Sequence, residues 1–288
     1  MNLLTIRELG AQGIADILAL ADTPDLGRPL AGKGVAMLFE KPSARTRNSM
    51  EMAVVQLGGH PLYIQPGEVG IGTRESAADI ARTLACYHSV IAARVKDHRL
   101  LDEMAAATAT PILNMLSDSD HPLQALADLL TIKQLLGQLD GARVGYVGDG
   151  DNNVCRSLAE ACALAGADLT IASPEGYALA NPPPGARQVV DPVEAVTGAD
   201  IVYTDVWVSM GQDSESDARR SAFGNYQVDA AMMGHAPGAR FMHCLPAKRG
   251  EEVTADIIDG PNSAVWKQAE NRMHSARGAL AWLMGARV

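Results

Sequence analysis

The chain is 288 residues long and carries 24 Lys and Arg against 34 Asp and Glu, a formal net charge of −10. With 47% hydrophobic and 20% charged residues it reads as globular, neither disordered nor fibrous, and its length suits one large domain or two ordinary ones. The acidic balance excludes a chain built to neutralise a nucleic-acid backbone, and no stretch approaches the roughly 18 uninterrupted apolar residues of a membrane span.

The four cysteines, Cys86, Cys155, Cys162 and Cys244, contain no CxxC pair and make no disulfide framework in a chain of this length, so a cytoplasmic setting is expected. Apolar runs at 35–39, 62–64, 90–93 and 111–113 are predicted strands of a first lobe. The first leads into Phe39-Glu40-Lys41-Pro42-Ser43-Ala44-Arg45-Thr46-Arg47, with a helix expected from there to about Leu57. Ser43 is a good N-cap. A helix N-terminus offers unpaired N–H groups and the positive end of the dipole to an anion, and Ser43, Arg45 and Thr46 would add donors. Read alone, the same residues also describe a capped helix with solvated arginines. Arg94, at the end of the run 90–93, is a weaker signal of the same kind.

His121-Pro122-Leu123-Gln124 opens a predicted helix at 122–136 that connects two lobes; proline suits the first helical position, and His121 and Gln124 can each donate to a carbonyl oxygen. Runs at 144–147, 169–172, 201–204 and 241–243 are predicted strands of a second lobe. After the first of these comes Gly148-Asp149-Gly150-Asp151-Asn152-Asn153, where Asn153 stands in place of the third glycine of a dinucleotide fingerprint; a small carboxylate suits this helix start better. The polar stretch 212–225 reads as a long loop, Pro182-Pro183-Pro184-Gly185 as another, and 263–284 as a last helix able to pack on either lobe.

Two further strand ends carry Asp205-Val206-Trp207-Val208-Ser209-Met210-Gly211 and His243-Cys244-Leu245-Pro246-Ala247. Asp205 suits an ammonium group. Cys244 reads as a small apolar residue after a buried strand, since no other Cys, His or carboxylate stands at a metal-ligand sequence spacing from it. Strands alternating with helices imply an α/β fold of two lobes, each a parallel sheet flanked by helices, and ligands of such sheets lie beyond the carboxyl ends of the strands. The motifs fall at those ends. Arginines gather in the first lobe, carboxamide and carboxylate groups in the second, which suggests a phosphate-bearing substrate and a zwitterionic one.

In this order the motifs resemble those of the aspartate and ornithine carbamoyltransferase family over nearly the whole chain, with Ala269-Glu270-Asn271-Arg272 completing the set. The Ser-Met-Gly and His-Cys-Leu-Pro runs resemble the ornithine branch. The resemblance implies a carbamoyl phosphate-binding domain at 1–133 and an ornithine-binding domain at 134–264, joined by interdomain helices, with a C-terminal helix at about 265–288 packing back on the first. It implies carbamoyl transfer from carbamoyl phosphate to the δ-amine of L-ornithine, giving L-citrulline and phosphate in arginine metabolism. Other amine acceptors (putrescine, an N-acylated ornithine, aspartate) or a weakly active regulatory paralogue are the alternatives.

By the same resemblance Ser43, Ala44, Arg45, Thr46, Arg94, His121, Gln124, Cys244, Leu245 and Arg272 bind carbamoyl phosphate. Of these, Arg45, Arg94, His121, Cys244 and Arg272 serve the reaction, while Asn153, Asp205, Ser209 and Met210 bind ornithine. A cis Leu245–Pro246 bond, a homotrimer, and neither metal nor cofactor are implied. The sequence departs from the family at Ala44, where a threonine is usual, and at Gly70, where a Gln or His contacts carbamoyl phosphate. It is also shorter than usual between 175 and 188.

Overall fold

The computed structural model describes residues 1–208 and 213–287. In chain order the first elements are α1 (Ile6–Asp22), β1 (Gly34–Phe39), α2 (Ala44–Gln56), β2 (His60–Ile64), α3 (Ala77–Ala85), β3 (Val90–Arg94), α4 (Arg99–Ala107), β4 (Ile112–Leu116) and α5 (Pro122–Leu136). There follow β5 (Arg143–Val147), α6 (Asn153–Ala165), β6 (Asp168–Ala172), β7 (Arg187–Val189), α7 (Pro192–Val196), β8 (Ile201–Thr204), α8 (Ser216–Phe223), α9 (Ala230–Gly234), β9 (Arg240–His243), α10 (Ala255–Ile258) and α11 (Val265–Leu283). The chain divides into two compact units. Unit 1 runs from Met1 to Leu130 and resumes from Asn271 onward, and unit 2 is Thr131–Glu270, so the divide falls inside α5 and inside α11.

Unit 1 holds a parallel sheet in the order β2-β1-β3-β4. Its inner strands β1 and β3 are buried nearly throughout, as strands covered on both faces must be, while edge strand β2 alternates towards solvent. Leu38, Ile64, Ile80, Ile91, Leu101, Met104 and Ile112 form its core. Unit 2 holds a parallel sheet in the order β7-β6-β5-β8-β9, packed on a core that includes Val147, Val202, Phe223, Phe241, Val253 and Ile258. In each sheet the strand order reverses direction beside the first strand, between β1 and β3 and between β5 and β8. Those two carboxyl edges are where an open parallel sheet offers room for a ligand.

One expectation is corrected. The polar stretch expected as a loop at 212–225 contains, within its described residues, α8, whose buried residues are Arg219 and Phe223. Phe223 packs between the rings of Tyr177 and Trp207, at 4.8 and 6.0 Å. A helix held by an arginine and one ring has no apolar stripe for periodicity to detect. Strand β7 was likewise not anticipated, being three residues long and largely exposed. Among the described residues no helix is long and apolar enough to cross a membrane.

Candidate functional site

In unit 1 the turn after β1 delivers Ser43 to the start of α2. Its Oγ accepts from the Thr46 backbone N–H at 3.4 Å and donates to Thr46 Oγ1 at 3.1 Å, the local bonding of an N-cap. Ala44 and Arg45 occupy the exposed first turn of α2. Arg94 ends the neighbouring strand, in register with Phe39, and its Nη1 donates to Thr46 Oγ1 at 3.3 Å. Its Nε is buried and has no hydrogen-bond partner among the described residues. Burial, then the charges of Arg272 and Arg45, lowers the Arg94 guanidinium to about 10.

His121 precedes Pro122, the first residue of α5, and is buried. Burial, then the charges of Arg272 and Arg94, takes its imidazole well below its ordinary value, so it is neutral at pH 7. Arg272 enters from α11, which Ser275 ties to α5 through a bond from its Oγ to the Leu123 carbonyl at 3.2 Å. The structure therefore gathers Ser43, Arg45, Thr46, Arg94, His121 and Arg272 at one edge of unit 1. Gln124 is buried one turn into α5, and its amide donates to Asp128 Oδ1 at 2.8 Å. Gly70 adopts φ +62°, and a Cβ there would approach the Arg74 Cβ to 2.9 Å, so this loop as folded has no room for the Gln or His usual in the family.

In unit 2 the cap of α6 is Asn152. Its Oδ1 accepts from the Cys155 N–H at 2.8 Å, and its Nδ2 donates to the Asp149 carbonyl at 2.9 Å and to Tyr146 Oη at 3.1 Å. Asn153 is the first helical residue, half-buried beside it. The Asp149 carboxylate accepts from Arg219 Nη1 at 2.8 Å, and the same nitrogen donates to the Trp207 carbonyl at 3.0 Å. Asp205 follows β8 and is buried, which raises its carboxyl; the bond from the Cys244 thiol opposes that rise. Cys244 donates its S–H to Asp205 Oδ1 at 3.0 Å. Leu245 follows at φ +60°, with a cis bond to Pro246. Ser209 and Met210 lie outside the described residues.

Cys244 is not remote from other potential metal ligands, as spacing along the chain suggests. Folding brings donor atoms of Asp205, His243 and Cys244 within 4.8 Å of one another, a grouping that spacing along the chain conceals. Hydrogen bonds account for these atoms: the thiol donates to Asp205, His243 Nδ1 accepts from the Leu245 N–H at 2.9 Å, and Nε2 lies 3.2 Å from Glu252 Oε1. Sequence reasoning also missed Glu252 and Arg219. Neither stands at a strand end, and each acts on a motif residue through a fold-dependent contact.

Comparison with known proteins identifies the family. Residues 1–134 match the family model of the aspartate/ornithine carbamoyltransferase carbamoyl-P binding domain, and residues 140–283 that of the Asp/Orn binding domain. The chain is 45% identical to the anabolic ornithine carbamoyltransferase of Pyrococcus furiosus, over 99% of this chain and 96% of that one. It is 45% identical to the ornithine carbamoyltransferase of Bacillus subtilis, over 97% and 92%. Among solved structures, the Pyrococcus furiosus ornithine carbamoyltransferase superposes with a TM-score of 0.93 at 44% identity, covering 100% of this chain and 98% of that one. The Thermus thermophilus enzyme gives 0.90 at 42%, covering 98% of each chain. Matched by the two domain models over residues 1–134 and 140–283, and by relatives over 97–99% of its length, the chain belongs to the aspartate/ornithine carbamoyltransferase family.

Proposed function

We propose that the chain transfers the carbamoyl group of carbamoyl phosphate to the δ-amine of L-ornithine, giving L-citrulline and phosphate. The observation that carries this reading is the cluster at one edge of unit 1: the Ser43-capped start of α2 lies beside the buried Arg94, whose Nη1 reaches Thr46 Oγ1 at 3.3 Å, and beside the buried His121 and Arg272, a crowding of cations that a bound dianion would relieve. In this reading unit 1 holds carbamoyl phosphate. Ser43, Arg45, Thr46 and the backbone N–H groups around Ala44 take the phosphate, and Arg94, His121, Gln124 and Arg272 take the carbamoyl end. Unit 2 holds ornithine, with Asp205 pairing the α-ammonium and Asn153, Ser209 and Met210 the rest of the amino-acid head. Cys244 and Leu245 close on the substrates.

The neutral δ-amine attacks the carbamoyl carbon, a C–N bond forms, and the C–O bond to phosphate breaks. Negative charge grows on the carbonyl oxygen, where Arg45, Arg94 and the neutral imidazole of His121 act as donors. The electron pair leaves with phosphate, which can itself take the amine proton. The assembly expected with this reading is a homotrimer, and α2 and edge strand β2 present Met52, Val55 and Leu62 to solvent in the isolated chain. A cytoplasmic location accords with four cysteines that are all free thiols.

An acceptor panel tests the reading. With carbamoyl phosphate, ornithine should be the preferred acceptor over putrescine, N-acetylornithine and aspartate. Preference for any of the other three would assign a different acceptor, and absence of turnover with all four would favour a regulatory paralogue.

A further inference from the structure

We propose that Glu252 is a positioning residue that, together with the Leu245 N–H, fixes which nitrogen of His243 carries the proton. The proposal rests on the reading above, in which Asp205, Cys244 and Leu245 meet the substrates. The Leu245 N–H donates to His243 Nδ1 at 2.9 Å, so Nδ1 must offer a lone pair and the proton must sit on Nε2. Nε2 lies 3.2 Å from Glu252 Oε1, and both side chains are fully buried. The other tautomer would turn Nδ1–H against the Leu245 N–H and leave Nε2 facing a carboxylate oxygen, two buried mismatches at once.

The acid is held by its own backbone. The Glu252 carbonyl accepts from the Val228 N–H at 2.9 Å, and Val253 forms bridges to both Val228 and Arg249. Gln227 donates its side-chain amide to the Gly250 and Glu251 carbonyls at 2.9 and 2.6 Å. Glu252 Oε1 also accepts from the Lys248 N–H at 2.5 Å, which closes the stretch 248–252 back beneath the turn. On the other side the His243 N–H donates to Gln268 Oε1 at 2.9 Å. The ring is thus held at both nitrogens and at its backbone.

The consequence reaches the site through two atoms. Leu245 stands at φ +60°, a left-handed conformation that a leucine keeps only where its surroundings enforce it, and the bond to His243 Nδ1 is part of that enforcement. Cys244, between the two, donates to Asp205. A side chain that never meets substrate therefore governs the placement of three residues that, in this reading, do.

The test uses the full-length protein labelled with ¹⁵N-histidine, with the His243 signal among the seven histidines identified from its loss in H243N. The parent should show a protonated Nε2 and a lone-pair Nδ1. E252Q, whose amide oxygen still accepts, should keep that tautomer and most of the citrulline-forming kcat. E252A, which leaves the Leu245 N–H as the one remaining constraint on the ring, should show a mixture of the two tautomers and lose about 10–100-fold in kcat, the usual cost of removing such a supporting group, with the KM for carbamoyl phosphate changed far less. E252D, drawn back by one carbon, should fall between. Urea denaturation separates folding from function, because a merely structural role would lower stability without moving the tautomer. An Nδ1–H tautomer in the parent, or a folded E252A or E252D with parental tautomer and kcat, would overturn the proposal. A parent that makes no citrulline would instead overturn the functional reading, while the tautomer would still decide the role of Glu252.

Discussion

Arg45 stands on the exposed first turn of α2, one residue from Thr46, and its charge is felt by Arg94. A planar fork there can hold a phosphate oxygen and the developing carbonyl charge together, which a lysine ammonium cannot. Arg45→Lys should therefore lower kcat by about 10²–10³, the usual loss for one transition-state donor; turnover within a few-fold of the parent would remove Arg45 from the site. Cys244 has a different task. Its thiol helps hold down an Asp205 carboxyl that burial pushes up. A serine hydroxyl can make the same bond, so Cys244→Ser should keep substantial activity, and trapping of a carbamoylated Cys244 would contradict this role. Cys244→Ala leaves the burial of Asp205 less opposed, and its carboxyl should then take a proton at higher pH. Norvaline shares ornithine's head but lacks the δ-amine, so its inhibition constant reports that pairing alone. It should weaken as pH falls, and from a higher pH in Cys244→Ala than in the parent.

At the scale of elements, legibility followed apolar content. The buried strands β1, β3, β5, β6, β8 and β9 and the helices α2 and α5 were readable because each carries a continuous apolar run or a capped start, and Pro122 marks the first residue of α5. The candidate site positions were readable on the same signals: Arg94 and Asp205 stand where an apolar run ends, and Ser43, His121 and Asn153 where a helix starts. Strand β7 and helix α8 were not, since one is short and exposed and the other is secured by an ion pair. Arg219 joins α8 to the Asp149 carboxylate, with side-chain exposures of 7% and 0%, and to the Trp207 carbonyl just past β8. Arg219→Met would leave Asp149 buried without its partner, at an expected cost of about 3–5 kcal/mol in urea denaturation. Adding Asp149→Asn should recover part of that loss, because the two changes are coupled. A cost below about 1 kcal/mol for the single change would mean that α8 is held by its ring packing alone.

At the scale of the whole molecule, a chain of net charge −10 nevertheless crowds Arg45, Arg94 and Arg272 around a neutral histidine at one sheet edge. That arrangement has a signature in stability against pH. His121 is lowered in the folded protein by burial and by two guanidinium charges, so below about pH 6.5 the unfolded chain takes up a proton that the folded one refuses. The sign is a loss of stability as pH falls. It begins near 6.5, approaches about 1.4 kcal/mol per pH unit from this residue, and ends where the folded imidazole itself titrates. His88, lowered by burial and by His60, adds in the same direction. His121→Asn should therefore flatten the slope between pH 5 and 6.5, and His88→Asn should flatten it separately. Inorganic phosphate binding the folded state at 100 times its dissociation constant should add about 2.7 kcal/mol. That gain should shrink in Arg94→Met, which removes one of the crowded cations. An unchanged slope in His121→Asn, or the same phosphate gain with and without Arg94, would mean that this edge is not the anion receptor its charges describe.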